Sequence, residues 1–150
     1  KAFYHKYVEN YIRQKSGRFT AKYTHSLKKA MLHAPSLPPF ESNAVLVKAA
    51  SLQLNYLGDN GGRLTHSQGN IGFAERMKRA GLHCLAENLY AAHDPKALEV
   101  VLDLMIDQNI PSFGHRKNLL NPMYTQIGIV SKTISGGKTI VVMDFGCKPR

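Results

Sequence analysis

Residues 112–122 read Ser112-Phe113-Gly114-His115-Arg116-Lys117-Asn118-Leu119-Leu120-Asn121-Pro122, and Gln126-Ile127-Gly128-Ile129 follows shortly after. The first run predicts a helix from Ser112 through Leu120, stopped by Pro122, which has no amide hydrogen to continue it. Beyond it the period changes. Thr125 to Ser131 and Lys138 to Phe145 are rich in β-branched residues, with Ser135-Gly136-Gly137 between them as a hairpin turn. The upstream patterns are mainly helical. Helices first and a hairpin last predict an α+β fold in which helices cover a small antiparallel sheet.

Working back from that stretch, Asp94 is placed to cap a helix, Pro95 suits its first position, and Leu98, Val101, Leu102 and Met105 give its core stripe. Residues 43–57 predict an amphipathic helix with Leu46, Ala50, Leu54 and Leu57 on one face. Gly58 stands where a helix-ending glycine would sit, and Asp59-Asn60-Gly61-Gly62 forms a turn. A short helix over residues 72–80 ends at Gly81. Residues 2–15 are helical with Phe3, Tyr7 and Tyr11 as a core stripe, and the proline-rich stretch from His33 to Phe40 is a connector.

Composition sets outer limits. With 150 residues, 43% apolar and 20% charged, the chain fits one globular domain, and no apolar run approaches the roughly 18 residues of a membrane span. It begins at Lys1, which reads as a trimmed product with any signal segment upstream. Residues 1–40 are expected to form a basic helical extension of the same domain that residues 41–150 build. The formal charge is +10, and residues 1–29 carry eight basic side chains (Lys1, Lys6, Arg13, Lys15, Arg18, Lys22, Lys28 and Lys29) against Glu9. Such an end is either a solvated face or an electrostatic lure for nucleic acid, anionic lipid or acidic polymer. No zinc finger or aromatic RNA-binding signature accompanies it, so specific nucleic-acid binding is not expected. Cys84 and Cys147 either form one disulfide, contributing on the order of 4 kcal/mol on the chain-entropy model, or stay as buried thiols.

The chain lacks a G-x-S-x-G elbow, an H-E-x-x-H helix and a P-loop. Apolar neighbours (Leu82, Leu85, Ala86) quiet Cys84 as a nucleophile. His5, His25, His33, His83 and His93 sit in polar or basic surroundings and read as surface residues. His66, in Leu64-Thr65-His66-Ser67-Gln68-Gly69, and His115 instead lie beside glycine and small polar residues, where a side chain reaches a cleft. Glu99, Asp103 and Asp107 form a stripe at four-residue spacing. Asp107 falls near a helix C-terminus, where the macrodipole disfavours a negative charge unless a metal, a protonated histidine or Arg116 offsets it.

Taken in order, Leu64-Thr65-His66-Ser67, Phe73-Ala74-Glu75-Arg76-Met77-Lys78 and Ala86-Glu87-Asn88-Leu89 resemble the first half of the signature of the CAP superfamily. This family unites cysteine-rich secretory proteins, antigen 5 and pathogenesis-related proteins. Gly114 to Pro122 with Gln126-Ile127-Gly128-Ile129 resembles the second half, in the microbial style that has Gly-His-Arg where animal members have Gly-His-Tyr. The ordered pieces cover roughly residues 43–146.

The resemblance implies a three-layer α-β-α sandwich and export to the outside, the cell surface or the periplasm. It also implies a monomer with a cleft of two histidines and two acids: His66, His115, Glu87 and Asp107, with Asp103 as the fallback acid. Ser67, Asn88, Gly114 and Arg116 support them. In that reading His66 and His115 hold Zn²⁺ or another divalent cation, and the acids bind it or orient the histidines and a water. The expected function is binding of a lipid or sterol, a cell-wall component or a host protein. The alternative is a metal-dependent hydrolase, protease or esterase, with Glu87 or Asp107 as general base. A plain buried polar network is the remaining reading of the four residues.

Overall fold

The computed structural model describes residues 2–147, so Lys1 of the basic end lies outside the described residues. A π-helical turn at Tyr4–Val8 leads into α1 (Glu9–Gln14), followed by α2 (Ala21–His33), β1 (Glu41–Ser42), α3 (Ala44–Asp59) and α4 (Phe73–Arg79). Then come β2 (Leu85–His93), α5 (Ala97–Ile106), α6 (Gly114–Leu119), β3 (Gln126–Thr133) and β4 (Lys138–Gly146). The mixed α and β class is the one expected. The elements group into two compact units, each drawing on two separated stretches of chain.

The first unit takes the chain up to Leu37 and again from Lys96 to Leu120. Its core is Tyr4, Val8, Tyr11, Tyr23, Leu27, Leu102, Met105 and Ile106. The N-terminal stripe therefore differs from the expected Phe3–Tyr7–Tyr11, and Phe3 is 39% exposed. Tyr4–Val8 is a π-helical turn, so the α-helical period behind the expected stripe does not hold there, and the buried face moves by one residue to Tyr4, Val8 and Tyr11. Three of the basic residues are neutralised within the unit: Lys15 by Glu99, Arg18 by Asp103 and Lys28 by Glu9.

The start of α5 is also corrected. Asp94 has a left-handed backbone (φ 44°), which is not the extended geometry of a cap, and Lys96 takes that place. The Glu99 carboxylate accepts the Lys96 amide at 3.1 Å and closes the first turn. Leu98, in that turn, is 42% exposed, while Val100, Leu102, Leu104, Met105 and Ile106 are buried.

The second unit runs from Pro38 to Pro95 and resumes at Asn121. Its four-stranded sheet has the order β1-β3-β4-β2. The antiparallel part is β2-β4-β3, with register Leu85↔Gly146 through His93↔Lys138 on one side of β4 and Gln126↔Gly146 through Thr133↔Thr139 on the other. The two-residue β1 adds a parallel pair on β3. Extending the β2–β4 ladder by one pair brings Cys84 opposite Cys147, and these form a disulfide with Cα atoms 5.7 Å apart.

Helix α3 packs on β3 and β4. Asn43 caps it, its Oδ1 accepting the Val45 and Leu46 amides at 2.9 and 3.2 Å. Leu46, Ala50, Leu54 and Leu57 are buried as the spacing predicts. Gly58 does not end the helix, which continues to Asp59. The reversal falls at Gly61 and Gly62 (φ 70° and 72°), where Gly62 donates its amide to the Leu57 carbonyl at 2.8 Å. At Gly128 the main chain of β3 lies directly against that of α3 at Leu46 and Val47, leaving no room for a side chain.

Candidate functional site

The predicted residues divide into two histidine–carboxylate pairs, one in each unit. In the second unit, His66 lies in the segment before α4 and Glu87 at the third position of β2. His66 Nδ1 meets Glu87 Oε1 at 2.7 Å. The Glu87 side chain is 1% exposed, whereas that of His66 is 52% exposed. Arg76, from α4, holds the acid with Nη2 at 3.0 Å from Oε1 and 2.8 Å from Oε2. Its Nε donates to the His66 carbonyl at 3.1 Å. One guanidinium thus fixes both the carboxylate and the main chain that carries the histidine, a planar fork suited to this double task. Both oxygens of Glu87 are engaged, so it acts as an orienting group.

Position 87 faces Asp144 across the β2–β4 ladder, and directly paired residues project from the same face of a sheet. Asp144 is fully buried, and neither of its oxygens receives a hydrogen bond from a donor. Burial, and then the Glu87 carboxylate beside it, push the Asp144 carboxyl up to about 8, with Arg76 pulling the other way.

In the first unit, α5 ends at Ile106 and Asp107 turns the chain out with a left-handed backbone (φ 58°). Its Oδ1 lies 2.6 Å from His115 Nδ1, and its Oδ2 accepts the Arg116 amide at 3.1 Å. That amide belongs to the first turn of α6. The acid that sits badly at the end of α5 therefore sits well at the start of the next helix. Arg116 is buried and donates to the carbonyls of Met105 (2.6 Å), Ile106 (3.0 Å) and Tyr23 (3.3 Å), and to Ser26 Oγ (2.8 Å). Its guanidinium also lies over the Phe113 ring, 4.4 Å from the centroid. Burial lowers its pKa, against the pull of Asp107. Arg116 thus satisfies the buried carbonyls at the end of α5 with its guanidinium, while its main-chain amide holds Asp107.

The fallback acid, Asp103, is held elsewhere, accepting Tyr11 Oη at 2.8 Å and Arg18 Nη2 at 2.7 Å. This bond and, above all, burial raise the Tyr11 pKa. Among the supporting residues, Asn88 is buried in β2, Gly114 opens α6, and the Ser67 amide donates to Thr65 Oγ1 at 3.2 Å. Two residues of the Glu87 cluster, Arg76 and Asp144, have no role in the sequence reading. The signal for Asp144 is an acid inside the apolar run Ile140-Val141-Val142-Met143-Asp144-Phe145. Arg76 lies inside the motif run Phe73 to Lys78, but nothing in that run marks its role, which depends on α4 docking beside β2.

A catalytic zinc takes three protein ligands. Among the described residues no three His, Cys, Asp or Glu side chains stand close enough together to hold a metal ion.

The model of the family described as CAP, the cysteine-rich secretory protein family, matches residues 8–145, and the chain belongs to this family. The match takes in the N-terminal helices that precede the sequence motifs. Among solved structures, the chain is similar to an outer surface protein from Borrelia burgdorferi, at 21% identity and a TM-score of 0.61 over 86% of this chain and 89% of that one. It is also similar to an extracellular protein containing an SCP domain from Bacillus anthracis, at 20% identity and a TM-score of 0.59 over 89% of this chain and 45% of that one. At these identities the likeness establishes the fold. No curated protein matches the chain. Among the described residues no helix is long and apolar enough to cross a membrane.

Proposed function

We propose that this chain is an exported or surface-displayed binding module, and that the imidazoles of His66 and His115 are its recognition groups. The observation that carries the reading is that each histidine has Nδ1 tied to a buried carboxylate. Such a bond fixes the ring's orientation and tautomer, which matters when the other ring edge must meet a ligand. Export is supported by the disulfide, which persists in oxidising compartments, and by the outer-surface and extracellular character of the two similar proteins. The ligand classes that follow are a lipid or sterol, a cell-wall polymer or a host protein. Zn²⁺ is a small probe of the same imidazoles, as a loosely held, exchangeable ion. Hydrolysis is the weaker reading because both candidate bases are engaged, Glu87 by Arg76 and His66, and Asp107 by His115 and the Arg116 amide.

The test is a calorimetric Zn²⁺ titration near pH 7 on the parent chain and on a His66→Ala/His115→Ala double variant. Binding by the parent that disappears in the variant is expected. Equal behaviour of the two overturns the assignment of the imidazoles as recognition groups. Turnover of an ester or peptide that is lost in both His66→Ala and Glu87→Ala would replace the binding reading with the hydrolytic one.

A further inference from the structure

We propose that Asp144 is a further positioning residue of the Glu87–His66 pair: a buried carboxylic acid that donates a hydrogen bond to the Glu87 carboxylate and so fixes the group that orients His66. Asp144 lies near the end of β4, between Glu87 of β2 and Gly128 of β3. Gly128 has no side chain, and what stands over it is the main chain of α3 at Leu46 and Val47. The charged and titratable groups around the acid are therefore Glu87 from β2, Arg76 from α4 and, through Glu87, His66 from the segment before α4.

Arg76 is the only cation in this cluster with a fixed charge, and its donors go to Glu87 and the His66 carbonyl. None reaches Asp144, whose oxygens are the only buried side-chain oxygens or nitrogens without a partner among the described residues. Two ionised carboxylates side by side in a buried site repel one another and exceed the charge of one guanidinium. A proton on Asp144 removes the excess charge and supplies the missing donor in one step. The raised affinity of this carboxyl for a proton agrees with that arrangement. Glu87 then accepts from three directions, Arg76, His66 and Asp144, and is held against rotation. The inference extends the reading of His66 as a recognition group, but its test needs no ligand, so the two fail separately.

The test is heteronuclear NMR of the His66 ring, tautomer and titration midpoint, in the parent, Asp144→Asn and Asp144→Val chains. Asparagine keeps a donor and has no charge, so it should reproduce the parent tautomer and midpoint. Valine removes the donor and makes Glu87 more basic, raising the His66 midpoint by about one pH unit. An ionised Asp144 predicts the opposite, because either substitution would remove a negative charge and lower the midpoint. A lowered midpoint in Asp144→Asn therefore overturns the proposal, even if the valine variant fails to fold. Infrared difference spectra at pH 6 give a second reading. A protonated-carboxyl stretch present in the parent and absent in Asp144→Asn is expected, and its absence from the parent refutes the assignment.

Discussion

Replacing Gly128 with alanine would push a methyl group into main chain. Alanine suits the extended backbone at this position, so the cost is one of space. The added carbon would stand 2.6 Å from the Leu46 carbonyl oxygen and overlap the Leu46 carbon and Val47 nitrogen still more. Non-bonded carbon atoms settle at about 3.5–4.0 Å, and the closest contacts here are shorter than the 2.6 Å to the oxygen, so β3 and α3 must separate by more than about 1 Å. A gap of that size forfeits about half or more of the dispersion energy between facing atoms. The interface affected is the one that buries Leu46, Ala50, Leu54 and Leu57. Overpacking typically costs 1–3 kcal/mol, and with main chain on both sides the upper end applies, about 3 kcal/mol. In a chain of 150 residues this corresponds to a melting temperature lower by roughly 6–12 °C. Urea and thermal unfolding followed by far-ultraviolet circular dichroism measure it. Gly72 is the comparison: its φ is −72° with nothing within 4 Å of an added carbon, so alanine there loses only the preference of the α4 N-cap for glycine and should cost no more than about 1 kcal/mol. A loss below about 1 kcal/mol at Gly128 would refute the close-approach argument.

Two further outcomes follow from the buried charges. Asp144 has its carboxyl raised to about 8 in the folded chain against 3.8 for an exposed carboxyl, so the folded state binds the extra proton between those values. Its contribution to stability is full below about pH 4 and declines as pH rises toward 8, at up to about 1.4 kcal/mol per pH unit. Denaturation midpoints measured across pH 4–8 should show this slope in the parent and a flatter one in Asp144→Asn; equal slopes would contradict it. Arg116→Met strips partners from the carbonyls of Met105, Ile106 and Tyr23 and should cost about 3 kcal/mol or more in urea unfolding. Arg116→Lys should recover only part of that, because an ammonium cannot span the same set; full recovery would argue against the guanidinium geometry.

The parts legible in the sequence are those whose pattern is local. Helix α3 shows its face through Leu46, Ala50, Leu54 and Leu57, and the β3–β4 hairpin shows itself through Gly136-Gly137 between β-branched runs. Strand β2 does not, because Glu87 and Asn88 interrupt its apolar character and are buried only through tertiary partners. Helix α2 is equally hidden, with Tyr23 and Leu27 set among Lys22, Lys28 and Lys29. His66 and His115 are visible from their small, polar neighbours, and Glu87 and Asp107 from the family motif. The pairing of each histidine with one acid requires the register of β2 and the left-handed turn after α5, which no spacing rule supplies. The support from Arg76 and Asp144 requires the docking of α4 and the β2–β4 ladder.

The discontinuity of the first unit bears on how the chain reaches this state as it is made. The helices before Leu37 emerge ahead of α5, with Tyr4, Val8 and Tyr11 aligned but without Leu102, Met105 and Ile106 to cover them. At about 5–20 residues per second, α6 follows only some 4–17 s later. Strand β2 in turn waits for β4, the last element described, before its nine residues find a partner. Both units therefore close late and nearly together, and the Cys84–Cys147 bond forms only once β4 and Cys147 have appeared. For those seconds a nascent chain exposes an apolar helix face and an unpaired strand edge, so its yield depends on what shields them before the last strand arrives.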